Sequence, residues 1–210
     1  MEEKELQNEL ATIRGIMERS SKFISLSGLS GILAGIYALI GAGMAYFIIQ
    51  SSPTTVTNHR SLFEAWGNSI TIILSLIAIA VTVLMASIIT AIILSKRQAR
   101  RKGQPFWGKT SQALLFNMIT PLITGGVLII LFLYQGIGEY IISIMLIFYG
   151  LSLVSASNFT FSDVKYLGLL EIVLGLIAAC VPGYGLLFWA IGFGVLHIVY
   201  GTVMHFKYDR

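Results

Sequence analysis

The chain reads as an all-α integral membrane protein of six transmembrane helices with an N-terminal cytoplasmic amphipathic helix, and three observations predict it. Of its 210 residues, 56% are hydrophobic and only 11% charged, where soluble domains carry about 25% charged residues. Several runs approach or exceed the ~20 apolar residues that cross a bilayer core, which predicts spans near 23–49, 70–94, 112–134, 139–157, 164–181 and 186–206. The basic residues then collect on alternate sides of those spans, as the positive-inside rule requires.

Residues 1–22 are polar, and Leu6, Leu10, Ile13 and Met17 fall on one helical stripe. Glu2, Glu3, Glu5 and Glu9 precede Arg14, Arg19 and Lys22, an order that complements the helix dipole. This predicts an amphipathic helix on the cytoplasmic face, resting on the membrane or bundle, or meeting a partner. The N-terminus lacks the basic and short apolar regions of a cleaved signal peptide, so the first span is expected to be retained.

The first span is rich in small residues: Ser27, Gly31 and Gly35 recur every four positions and predict close helix packing. Gly28-Leu29-Ser30-Gly31 also matches the GxSG tetrapeptide around the nucleophile of rhomboid intramembrane proteases. Ser30 lies in the first span rather than the fourth, however, and His197 lacks the following HxxGxxxG pattern. Residues 50–69 form a polar loop with Phe63 and Trp66 suited to the interface. The second span, 70–94, holds no ionisable residue, and its Ser75, Thr82 and Thr90 can bond back to their own helix.

Lys96, Arg97, Arg100, Arg101 and Lys102, with Lys109 beyond, read as a basic loop holding six of the fourteen Lys and Arg residues. Thirteen of the fourteen fall on one side and only Arg60 on the other, which predicts both termini in the cytoplasm of a multi-pass inner-membrane protein. The same cluster suits anionic lipid, and topology explains it without nucleic acid. In the third span Asn117, Thr120, Pro121 and Thr124 form one polar stripe, predicting either a kink satisfied by neighbouring helices or a contact for a cation or polar solute. Glu139 opens the fourth span, where the positive end of the helix dipole suits an acid.

The last two spans carry the candidate site. Counted from Gly183 in the turn, Glu171 lies twelve residues before and His197 fourteen after, so the two differ in depth by about 3 Å. Gly168, Gly175 and Ala178 share a face with Glu171, and Ala190, Gly194 and Gly201 with His197. Those faces are expected to pack together and shelter the pair from lipid, where an unpaired charge costs at least ~2.5 kcal/mol. The pair reads as a structural clasp, a proton-linked switch or a solute contact.

No cofactor is expected. Cys180 is the single cysteine, so no internal disulfide or cysteine metal cluster can form. Of the histidines, only His197 and His205 lie near one another, without the further ligands of a metal shell. HExxH and GxxxxGK[ST] are also absent, which leaves enzyme chemistry the minority reading.

The run Gly168-Leu169-Leu170-Glu171-Ile172-Val173-Leu174-Gly175-Leu176-Ile177-Ala178, with Pro182 beyond it, resembles the glycine-spaced hairpins of the HdeD-like family of small six-span bacterial membrane proteins. Gly28-Leu29 and Gly35 in the first span echo Gly168-Leu169 and Gly175 in the fifth. The resemblance implies three related hairpins and a link to acid stress, and carries over no site residue. Function is thus expected to be a non-enzymatic sensing, regulatory or stress-related membrane module, with a cytoplasmic protein or anionic lipid as partner and a homo-oligomer as a further option. A small transporter or proton-coupled channel using Glu171 and His197 is the alternative, and an intramembrane enzyme the third.

Overall fold

The computed structural model describes residues 26–51, 70–103 and 105–208. The helix expected over 1–22 and the loop carrying Arg60, Phe63 and Trp66 lie outside the described residues. Within them all regular secondary structure is helical, without strands. We number the helices α1 (Gly28–Gln50), α2 (Ile70–Arg101), α3 (Lys109–Tyr134), α4 (Ile141–Ala156), α5 (Asp163–Cys180) and α6 (Gly185–Tyr208). Four of them, α1, α2, α3 and α6, are long and apolar enough to cross a membrane. At 16 residues α4 is shorter but as apolar, and α5 interrupts its apolar run with Glu171.

The bundle turns many of its large apolar side chains outward. Leu74, Ile77, Val81, Leu84 and Ile88 on α2, and Phe116, Ile123 and Ile130 on α3, are exposed, while serines and glycines are buried. That is the reverse of a water-soluble bundle and suits lipid as solvent.

One expectation is corrected at the basic cluster. Lys96 to Arg101 do not form a loop: α2 continues through them, and the turn comes at Lys102 and Gly103. Lys, Arg, Gln and Ala are good helix formers, cations suit a helix C-terminus, and nothing breaks the pattern before Gly103, which supplies φ +64°. The α3 end is equally well specified. Gly136, at φ +73°, donates to the Leu133 carbonyl, and Ile137 to the Phe132 carbonyl, closing the helix in a Schellman motif.

The helices divide into two trios. In one, α1 lies between α2 and α6; in the other, α4 lies between α3 and α5. Glycines set both tight crossings. A Cβ on Gly35 would stand 2.6 Å from the Gly194 carbonyl and one on Gly201 2.5 Å from the Ile32 nitrogen, so α1 and α6 touch backbone to backbone. Gly31 sits over Gly201 in the same crossing. In the other trio Gly150 and Gly168 face each other, each Cβ position 2.5 to 2.7 Å from the opposite carbonyl, and Gly175 faces Ile147. Gly31, Gly35, Gly168, Gly175, Gly194 and Gly201 all lie in these two crossings.

The expected hairpin of α5 against α6 is therefore corrected. Its two small-residue faces do not pack together, because each finds a closer glycine partner elsewhere: α4 for α5, and α1 for α6. The two helices meet along a narrower seam between the trios.

Candidate functional site

Glu171 and His197 meet across that seam. Glu171 is fully buried, and its Oε1 lies 3.5 Å from His197 Nδ1. The imidazole is aimed elsewhere, however. Nδ1 lies 3.0 Å from the Gly192 carbonyl oxygen, an acceptor only, so Nδ1 carries a hydrogen and donates it there. Neither Glu171 oxygen has a hydrogen-bond partner. The carboxyl thus has a charge neighbour at ion-pair distance but no hydrogen bond.

Gly192 reaches this position because α6 is not a regular helix. Its turns from Ala190 to Leu196 are π-helical, flanked by α-helical turns at Gly185–Trp189 and His197–Tyr208. A Cβ on Gly192 would fall 2.6 Å from Glu171 Oε2 and 2.5 Å from Leu146 Cδ2. The missing side chain is what lets the α6 backbone approach the carboxyl. Such π segments occur often at functional sites.

The third member of the site comes from α4. Tyr149 Oη is 2.7 Å from His197 Nε2, and its ring lies 5.1 Å from that of Phe193. With Nδ1 committed to Gly192, a neutral imidazole accepts the Tyr149 hydrogen at Nε2, and an imidazolium donates to Tyr149 Oη instead. A phenol can do either, so the pair holds together in both charge states of the ring.

A second polar group crosses the seam at the basic end of the molecule, where Asp163 begins α5 outside its apolar run. Asp163 accepts hydrogen bonds from Lys207 Nζ at 2.9 and 3.1 Å and from Tyr208 Oη at 2.6 Å. Lys102 Nζ reaches the Tyr208 carbonyl at 3.4 Å, and Phe161 stacks on the Tyr208 ring at 4.0 Å. Partial burial pushes the Asp163 carboxyl up, but the hydrogen bonds from Tyr208 and Lys207 outweigh it and leave it below its ordinary value.

The other sequence candidates lie apart from the pair. Asn117 donates to the Ala113 carbonyl, Thr120 to Phe116 and Thr124 to Thr120, all within α3, and both threonines are exposed on the outer face. Pro121 sits inside the same helix, which runs on through it. Ser30 donates to the Ser27 carbonyl at 2.6 Å, while the two His197 nitrogens are taken by Gly192 and Tyr149. Lys96, Arg97, Arg100 and Arg101 are exposed around the end of α2, with Lys109 at the start of α3.

Sequence reasoning missed Tyr149, Gly192 and Tyr200. Tyrosine favours the membrane interface, so Tyr149 in the middle of an apolar run, and Tyr200 three residues after His197, were signals to be read. The carbonyl of Gly192 left no comparable mark. Comparison with protein-family models, curated proteins and solved structures gives no match.

Proposed function

We propose that this chain is a non-enzymatic six-span sensing module of the cytoplasmic membrane, with both termini inside, whose signal is the protonation of the Glu171–His197–Tyr149 cluster. One observation carries the reading: a fully buried carboxyl 3.5 Å from an imidazole, with no hydrogen bond of its own, set in the seam between two helix trios. One proton shared by the pair leaves it neutral overall. Removing that proton leaves a buried carboxylate uncompensated, at a cost of about 3–5 kcal/mol, which favours opening or shifting the seam. The basic end of α2 and the N-terminal segment would pass the change to a cytoplasmic partner or to anionic lipid. A stress-related role, as the HdeD-like resemblance implies, agrees with a proton signal.

The seam also supports a second reading, because two units that rock against each other around buried ionisable groups are a transport architecture. Tight packing of Leu146 and Gly192 around Glu171 favours the sensor, since it provides little room for a solute.

Both readings are separated in vesicles carrying wild type, Glu171→Gln or His197→Ala. Trp189 is the reporter: its ring lies 5.8 Å from that of Phe193, which in turn neighbours His197, and Trp66→Phe with Trp107→Phe removes the other tryptophans. The sensor is expected to show a pH-dependent Trp189 signal that Glu171→Gln abolishes, with no proton flux above empty vesicles. Flux that either substitution abolishes would establish transport instead. A pH-independent signal in the wild type would sink the sensor.

A further inference from the structure

A fully buried carboxyl needs a route for its proton. Among the described residues two polar groups cross the seam, the inner one at Glu171 and His197 and the outer one at Asp163, Lys207 and Tyr208. On α5 the two acids stand eight residues apart, about 12 Å of helix rise. On α6 His197, Tyr200, Met204 and Tyr208 recur at spacings of three, four and four, one helical stripe turned toward α4 and α5.

Tyr200 stands between the two groups. Its ring packs on the buried cluster of Leu153, Phe161, Val164, Leu167 and Met204 that Tyr149 and Tyr208 also touch. The hydroxyl is buried and has no hydrogen bond. By helical register it stands about one turn beyond His197 and about two turns before Tyr208. A buried hydroxyl left unpaired is destabilising, a cost that phenylalanine would avoid in the same space.

We propose that Tyr200 is the relay that carries protons between Asp163, at the basic end, and the Glu171–His197 pair; the proposal rests on the proton-sensing reading. Asp163, protonated from the aqueous side, gives its proton to Tyr200 Oη as the Tyr200 proton passes to Tyr149 Oη and the Tyr149 proton moves to His197 Nε2. Asp163 ends as a carboxylate, each tyrosine regains one O–H, and the imidazole gains one proton beside Glu171. Where two groups stand further apart than a hydrogen bond, a water molecule carries the proton between them.

Among the described residues, the groups that bear on this path are few. Tyr149 faces it from α4, Glu171 and Asp163 from α5, Lys207 and Tyr208 from α6, and Lys102 from the end of α2. The α1 face against α6 is built of Gly28, Gly31 and Gly35, with Gly28 against the His205 backbone, and Tyr37 of α1 is turned to Thr90 of α2.

The test is a rapid pH jump on the full chain in nanodiscs, read by Trp189, alongside its equilibrium pH titration. Tyr200→Phe and Asp163→Asn should each leave the titration midpoint in place and slow the response about a hundredfold. Glu139→Gln, at the opposite end, should change neither. Wild-type speed in Tyr200→Phe overturns the relay and leaves the sensor standing, whereas a flat wild-type titration removes both. A shifted midpoint or lower melting temperature in Tyr200→Phe with an unchanged rate makes the hydroxyl a packing group and also overturns the relay. Slowing by Glu139→Gln but not Asp163→Asn would bring the proton from the other end and overturn it too.

Discussion

Gly192 does two things at its position, and the second of them requires a glycine. Its carbonyl takes the His197 Nδ1 hydrogen, and its missing side chain admits the Glu171 carboxyl. Gly192→Ala is therefore expected to cost about 1–3 kcal/mol, because the added methyl meets the ends of the Glu171, Leu146 and Leu174 side chains together and the first two are fully buried. Thermal unfolding in detergent measures it, and rescue by Glu171→Ala would identify the collision as the cause. Asp163 makes a prediction in pH. Its folded value is depressed, so its bonds to Lys207 and Tyr208 contribute fully above the ordinary carboxylate value and are lost as pH falls through the lower folded one. The stability difference between wild type and Asp163→Asn should accordingly hold steady near neutrality and shrink in acid below about pH 4. A difference that grew in acid would refute that assignment.

At the scale of elements, polar residues in this chain divide by where their hydrogen bonds go. Thr120 and Thr124 close theirs within α3 and face outward, so they ask nothing of a neighbouring helix. Replacing both by valine should change stability by no more than about 0.5 kcal/mol and leave the Trp189 pH response intact. A lost response would return that stripe to the site. Glu171 and His197 were legible as a pair from depth alone, since counting from the Gly183 turn put them level. Their packing partners were not, because glycines on α1, α4, α5 and α6 are interchangeable by sequence spacing and only the three-dimensional crossings decide which pairs meet. The basic run after residue 95 was misread for a related reason. A hydropathy boundary marks where a helix leaves apolar surroundings, and α2 keeps its hydrogen bonding for two further turns into polar ones.

For the whole molecule, outward-facing apolar side chains and inward-facing small ones were implied by composition, and the all-helical architecture follows from it. The division into two trios was not implied. Sequence neighbours form the pairs α1–α2 and α3–α4, yet the third expected hairpin splits, with α5 joining α4 and α6 returning to α1. The asymmetry of charge has a consequence at this scale. Exchanging Lys96, Arg97, Arg100 and Arg101 for glutamine should weaken the orientation bias, so that a reporter fused after Tyr208 appears in part on the outer side. An unchanged distribution would assign orientation to the N-terminal segment.

The π-helical stretch from Ala190 to Leu196 also acts as a phase shifter. Every residue beyond it points in a direction that a regular helix of the same length would not give. Winding the same residues as regular α-helix would turn the remainder of α6 by about 100° as one piece, swinging His197, Tyr200 and Tyr208 together away from α4 and α5. The whole stripe is thereby indexed to one local irregularity, so the chain's length in that segment is as much a part of the site as any side chain.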